Sequence, residues 1–155
     1  VEASALMVAY SFKRCFVAPI QVGLGQIERI DGTKYQPKRQ TIRARRGRHA
    51  WPGEEVQLYH GMRTKHCFLI GRARCVDVQG ISIHFRKRRR SDWLRCAQHG
   101  KLDRPHSLDL FARLDGFHDW QDLRTFWRAE HPGIDDFEGV LILWEPLNPG
   151  DRPSP

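Results

Sequence analysis

Apolar positions recur along this chain in two periods, one of helix and one of strand. The run Leu6-Met7-Val8-Ala9-Tyr10 opens the pattern, and residues 1–5 before it read as a flexible terminus. Ser11 is placed to cap a short helix on which Phe12, Phe16 and Ile20 recur at a spacing of four. Pro19 limits that helix, and Gly23 and Gly25 end it. Leu24 to Pro37 reads as an inserted hairpin or flexible loop around the Asp31-Gly32 turn signal. Thr41 to Ala44 follow as a strand, and Arg45, Arg46, Arg48 and His49 form a basic loop. Trp51-Pro52-Gly53-Glu54 is a turn, after which Glu55-Val56-Gln57-Leu58-Tyr59 alternates polar with apolar as a half-buried strand does. Gly61 to Lys65 is a second turn. Cys67 to Val78 is rich in strand formers, with a bend at Gly71, and Ile81, Ile83 and Phe85 alternate in a partner strand beyond Gly80.

The second half shifts toward the helical period. Arg86-Lys87-Arg88-Arg89-Arg90 is too repulsive to be buried and belongs in a loop or at a strand end. Ser91 to Pro105 reads as an irregular connection with a short helix around Trp93 to Ala97. Ser107 to Leu114 is predicted as a helix with Leu108, Phe111 and Leu114 facing inward. Asp119 stands where an N-cap belongs, with Asp122 three residues on. Trp120, Leu123, Phe126 and Trp127 then make one helical face, read as core before ligand contact. His131-Pro132-Gly133 stops this helix, Val140 to Trp144 is a closing strand, and the proline-rich stretch 146–155 is a tail. Strands with turns every 8–12 residues or so, flanked by helices, predict an α+β, β-rich domain over residues 6–145, built as a small barrel or a curled sheet.

Composition narrows the partners. Lys and Arg total 26 against 18 acidic residues, a net charge of +8, which favours polyanions such as RNA, DNA or nucleotides. Cys15, Cys67, Cys75 and Cys96 form no C-x-x-C pair, and the eight histidines fall into no metal-binding spacing, so no metal and no cofactor are expected. No apolar run approaches 18 residues, and the first residues lack the regions of a signal peptide, so the expected setting is cytoplasmic, with no membrane partner.

Chemistry is legible in one stretch, Lys38-Arg39-Gln40-Thr41-Ile42-Arg43. On a strand Thr41 and Arg43 share a face while Ile42 points into the body, and Lys38 has the reach to bring its ammonium over the Thr41 hydroxyl. The bland alternative is a half-buried strand with solvated charges.

Five short motifs in order resemble the ASCH domain, a relative of the PUA fold. They are Tyr10-Ser11-Phe12-Lys13, Pro19-Ile20, Lys38 to Arg43, Pro52-Gly53-Glu54 leading to Leu58-Tyr59, and Asp115-Gly116-Phe117. The resemblance spans roughly Leu6 to Glu145 and implies a small PUA-like β-barrel with helices at its openings. It also implies a cleft, floored by the Lys38 to Arg43 strand, that receives RNA or a modified nucleoside or nucleotide. The family's Gly-x-Lys piece, followed by a hydroxyl or acidic residue and an Arg, is met by Lys38, Thr41 and Arg43. Gly32-Thr33-Lys34 reproduces its first part earlier in the chain, so Lys34 and Lys38 both stand as candidates.

The form with Thr resembles the small bacterial amidohydrolases that remove the acetyl group from N4-acetylcytidine. That implies Thr41 as nucleophile, Lys38 as its base, and Asp115 in place of the family's Glu. Arg43 or Arg63 would stabilise an oxyanion or hold a phosphate, with Lys34, Arg45 and Lys65 as further ligand contacts. Ribonuclease activity also occurs in the wider family. Binding module and hydrolase are therefore the two expectations, with a binding role in a mobile-element context as a third.

Overall fold

Alternation sets the sheet. In the strand Glu55–His60, Val56 and Leu58 are wholly buried while Glu55, Gln57 and Tyr59 stay half-exposed, the period of a strand with one wet face. The computed structural model describes residues 7–28, 36–87 and 91–147. The expectations of a flexible terminus over 1–5, of a turn at Asp31-Gly32 and of a tail over 148–155, together with Lys34 and Arg88 to Arg90, fall outside the described residues.

The elements in chain order are β1 (Val8–Phe12), α1 (Val17–Gly23), β2 (Gln40–Arg43), β3 (Glu55–His60), β4 (Phe68–His84), β5 (Trp93–Cys96), β6 (Gly100–Leu102), α2 (Pro105–Leu114), α3 (Trp120–Glu130) and β7 (Asp136–Pro146). The described residues form an α+β protein in which three helices accompany one seven-stranded mixed sheet. β1 lies parallel to β3, and every other ladder is antiparallel. β4 is the centre. One of its edges takes β3 and then β5, which continues to β6, while the other takes β7, which continues to β2.

Several expectations change. The break at Gly80 does not occur: β4 runs through it as one strand of 17 residues, because Gly80 has a ladder partner in Val140 of β7. The bend at Gly71 is a β-bulge, where Leu58 faces Gly71 and Tyr59 faces Leu69, leaving Ile70 as the extra residue. Trp93 to Cys96 is strand, not helix, since Leu94 and Cys96 alternate inward against Ile81 to His84. Ser11 caps nothing. The alternation of Val8, Tyr10 and Phe12 carries β1 past it, and a 3-10 turn, Arg14–Phe16, separates β1 from α1.

The expected barrel is not closed. Closure would require β1 to pair with β2, and no ladder joins them among the described residues. Both are short, and the Arg43 side chain stands between them, its Nη2 donating to the Ser11 carbonyl at 2.7 Å and so occupying an acceptor that a ladder would use.

The helices cover the sheet's inner face. α2 starts at Pro105, whose fixed φ suits a first helical turn. It buries Leu108 and Phe111 but leaves Leu114, expected inward, 45% exposed. α3 is capped as its sequence predicts, Asp122 N–H donating to Asp119 Oδ1 at 2.9 Å. Trp120, Leu123 and Trp127 are buried, and Phe126 packs partly against the same core. Buried Asp92 ties α3 to the sheet by accepting from Trp120 Nε1 and Arg124 Nε, each at 2.9 Å. No helix among the described residues is long and apolar enough to cross a membrane.

Candidate functional site

The segment before and within β2 is held from three sides. Lys38 N–H donates to Pro19 O at 2.9 Å, Arg39 N–H to Leu114 O at 3.3 Å, and Trp144 N–H to Arg39 O at 3.0 Å, so α1, α2 and β7 all fix it. Approach is close enough that a Cβ on Gly23, the last residue of α1, would sit 2.4 Å from Lys38 O. At the other side Gly116, with φ +90°, lets the turn after α2 fold onto the Lys38 stem, 3.0 Å from Lys38 Cβ to an added Cβ. That turn delivers Asp115.

Lys38 and Asp115 are 2% and 4% exposed. Lys38 Nζ donates to the Asp115 carbonyl at 2.7 Å, and Asp115 Oδ1 lies 3.3 Å away, an ion-pair distance without hydrogen-bond alignment. A cation at the carbonyl end of a helix is also favoured by the helix dipole. Burial lowers the Lys38 pKa and raises that of Asp115, and each group's charge opposes the shift imposed on the other. Gln40 stands near enough to favour the charged carboxyl, although its buried Nε2 is not aligned on a partner.

The Thr41 hydroxyl is met by Arg43, not by Lys38. Arg43 Nε donates to Thr41 Oγ1 at 3.2 Å, as expected for two residues on one strand face. The expected ammonium-over-hydroxyl contact gives way because a buried cation gains more from a carboxylate and a carbonyl than from a neutral hydroxyl. The ammonium instead lies 4.5 Å from the Phe16 ring centroid. Arg43 Cζ is 4.7 Å from the Phe12 centroid, and burial brings its pKa down to about 10.

Lys38, Thr41, Arg43 and Asp115 all line one cavity of about 260 Å³. Phe16, Phe117 and Phe126 form one aromatic wall, with ring centroids 5.1–5.5 Å apart. Trp127, His131 and Phe137 form another, with Trp127 and Phe137 at 4.6 Å. A Lys13–Glu130 ion pair of 2.8 Å joins the ends of β1 and α3 at its border. Polar chemistry on the floor and rings on the walls suit a flat, hydrogen-bonding ligand.

The remaining expected site residues are placed elsewhere. Arg63 and Lys65 sit exposed in the turn between β3 and β4, and Arg45 reaches over Gly80, so none of the three lines the cavity. Lys34 lies outside the described residues. Among the described residues no group of His, Cys, Asp or Glu is arranged to hold a metal ion. The sequence did not reveal the aromatic walls, because Phe16, Phe126 and Trp127 carry the same helical spacing whether they fill a core or border a cavity. Compared with models of protein families, with curated proteins and with solved structures, the chain finds no match.

Proposed function

We propose that this protein binds RNA or a modified nucleotide by taking a base into the Lys38–Asp115 cavity, the role that resemblance to the ASCH domain implies. One observation carries the reading: Asp115, 77 residues beyond Lys38, joins Lys38, Thr41 and Arg43 on the floor of a cavity with aromatic walls. The cavity's volume suits a base and not a folded RNA, so a base of an RNA would enter unstacked. Arg43 N–H groups donate, the Asp115 carboxylate accepts, and the Thr41 hydroxyl does either, which matches the mixed edge of a pyrimidine. Trp127 in the wall provides the readout. Titration with nucleosides and short single-stranded RNA is expected to change its fluorescence, and Phe126→Ala to weaken binding by about 1–3 kcal/mol, the usual worth of one stacked base. A wild-type protein whose fluorescence and heat of mixing stay flat with every ribonucleoside and single strand would overturn this reading.

A second reading is an amidohydrolase acting on N4-acetylcytidine-like nucleosides. It is favoured by the Arg43 N–H on the Thr41 oxygen, which would stabilise the alkoxide of an attacking Thr41. Thr41 Oγ would bond to the acyl carbon and its proton would pass to the neutral amine of Lys38, once that amine had turned from the Asp115 carbonyl toward Thr41. The bond to the exocyclic nitrogen would then break, that nitrogen taking the proton, and water would hydrolyse the resulting ester. Acetate release from N4-acetylcytidine is expected from wild type and to vanish in a folded Thr41→Val variant; no release from wild type removes the amidohydrolase. The wider family's ribonuclease activity would be seen instead as cleavage of the same single strands.

A further inference from the structure

Two guanidinium groups share the ring of Tyr10. Arg43 Cζ lies 5.5 Å from its centroid and Arg46 Cζ 5.1 Å, and Arg46 is one of the charges that lower the Arg43 pKa. Neither meets a carboxylate among the described residues, whereas Arg48 is matched to Glu54, Arg86 to Asp136, Arg124 to Asp92 and Arg128 to Asp135. Arg43 uses Nε on Thr41 and Nη2 on Ser11, and Arg46 uses Nε on the Arg48 carbonyl. A guanidinium carries five N–H donors, so terminal donors of both remain without an acceptor among the described residues.

The loop is built to hold this repulsive arrangement. His49 Nε2 lies 2.9 Å from the Ala44 carbonyl, which only accepts, so Nε2 carries the hydrogen and Nδ1, 3.0 Å from the Tyr10 hydroxyl, accepts from it. The same hydroxyl accepts from Ala50 N–H at 3.1 Å. Tyr10 therefore fastens the 49–50 end of the loop, His49 ties that end to Ala44, and Arg46 is held over the ring that Arg43 also faces. Burial, with Arg46 and Arg43 nearby, also lowers the His49 pKa.

We propose that Arg43 and Arg46 form a phosphate site at the mouth of the cavity, so that the ligand is a phosphorylated nucleoside or a nucleotide unit of RNA and not a free nucleoside. This rests on the base-binding reading for the other half of the ligand. A phosphate between the two guanidiniums would relieve their repulsion and use their open donors, and the planar fork of Arg fits two phosphate oxygens at once. Arg43, Ala44 and Ser11 border the cavity, which makes the two halves of the site continuous.

The test compares cytidine with its 5′- and 3′-monophosphates by calorimetry, on wild type and on Arg46→Gln, a change at an exposed residue outside the cavity lining. A monophosphate is expected to bind wild type about tenfold or more tighter than cytidine, with the difference lost in the variant and cytidine binding unchanged. Equal affinity for all three ligands overturns the phosphate site while leaving the base pocket standing. If no cytidine compound binds, inorganic phosphate decides. A phosphate-dependent rise in the His49 pKa, followed by NMR in wild type and absent from Arg46→Gln, supports the site, and an unmoved His49 overturns it.

Discussion

Lys38 and Asp115 are charged groups placed almost entirely out of water. Removing one leaves the other buried and uncompensated, so Lys38→Met or Asp115→Leu alone is expected to cost about 3–5 kcal/mol, while the double variant folds as well as wild type or better. Urea denaturation of the three variants measures this; a double variant that loses the sum of the two single losses would show that the pair is not coupled. The pH dependence follows from the same burial. Between the lowered folded pKa of Lys38 and its ordinary 10.5 the unfolded chain binds more protons, so stability rises with pH in that window. Between 3.8 and the raised pKa of Asp115 the folded chain binds more, so stability falls as pH rises. Wild type is thus expected to gain on the double variant at both ends of the pH range. At this scale the sequence grouped Lys38, Thr41, Arg43 and Asp115 in one expected site, and all four line one cavity. It could not show which cation meets the Thr41 hydroxyl, because that depends on Asp115, 77 residues beyond Lys38.

β2 is only four residues long, and its position depends on β7 behind it. A Cβ on Gly139 would lie 2.4 Å from the Arg43 carbonyl and 2.6 Å from the Phe137 ring. Gly139→Ala is therefore expected to cost about 1–3 kcal/mol by overpacking and to weaken ligand binding as well, since β2 carries Thr41 and Arg43. Gly133→Ala, in open space at φ +77°, is the control: it should lose about 1 kcal/mol through backbone strain and leave binding intact. Thermal melts paired with ligand titration separate the two. Elements with a strong local signal were legible, among them α3 with its Asp119 cap and β3 with its alternation. Trp93 to Cys96 was not, because four residues span too little of either period to distinguish strand from helix. The unbroken β4 was hidden for a different reason, since Gly80 looks like a terminator until Val140 is known to face it.

Across the whole molecule, the net charge of +8 is spread over several loops, and many of its arginines are already matched to carboxylates. If single-stranded RNA is gripped chiefly at Arg43 and Arg46, log affinity should fall against log salt with a slope of about −1 to −2. A slope of about −5 or steeper would mean that the strand runs on over the other basic loops. The open edge between β1 and β2 was not legible from strand count, which is compatible with a closed barrel; among the described residues no ladder joins the two strands, and the Arg43 side chain bonds to the Ser11 carbonyl instead. β7 pairs with both β4 and β2, and Thr41 faces Ile142, roughly a hundred residues further along the chain. During synthesis Lys38, Thr41 and Arg43 therefore leave the ribosome long before the strand that must back them exists. The floor strand is thus made early, Asp115 and most of the aromatic walls follow late, and the cavity can be assembled only when β7 emerges. Completion of the fold and the closing of the cavity are thus one event in time.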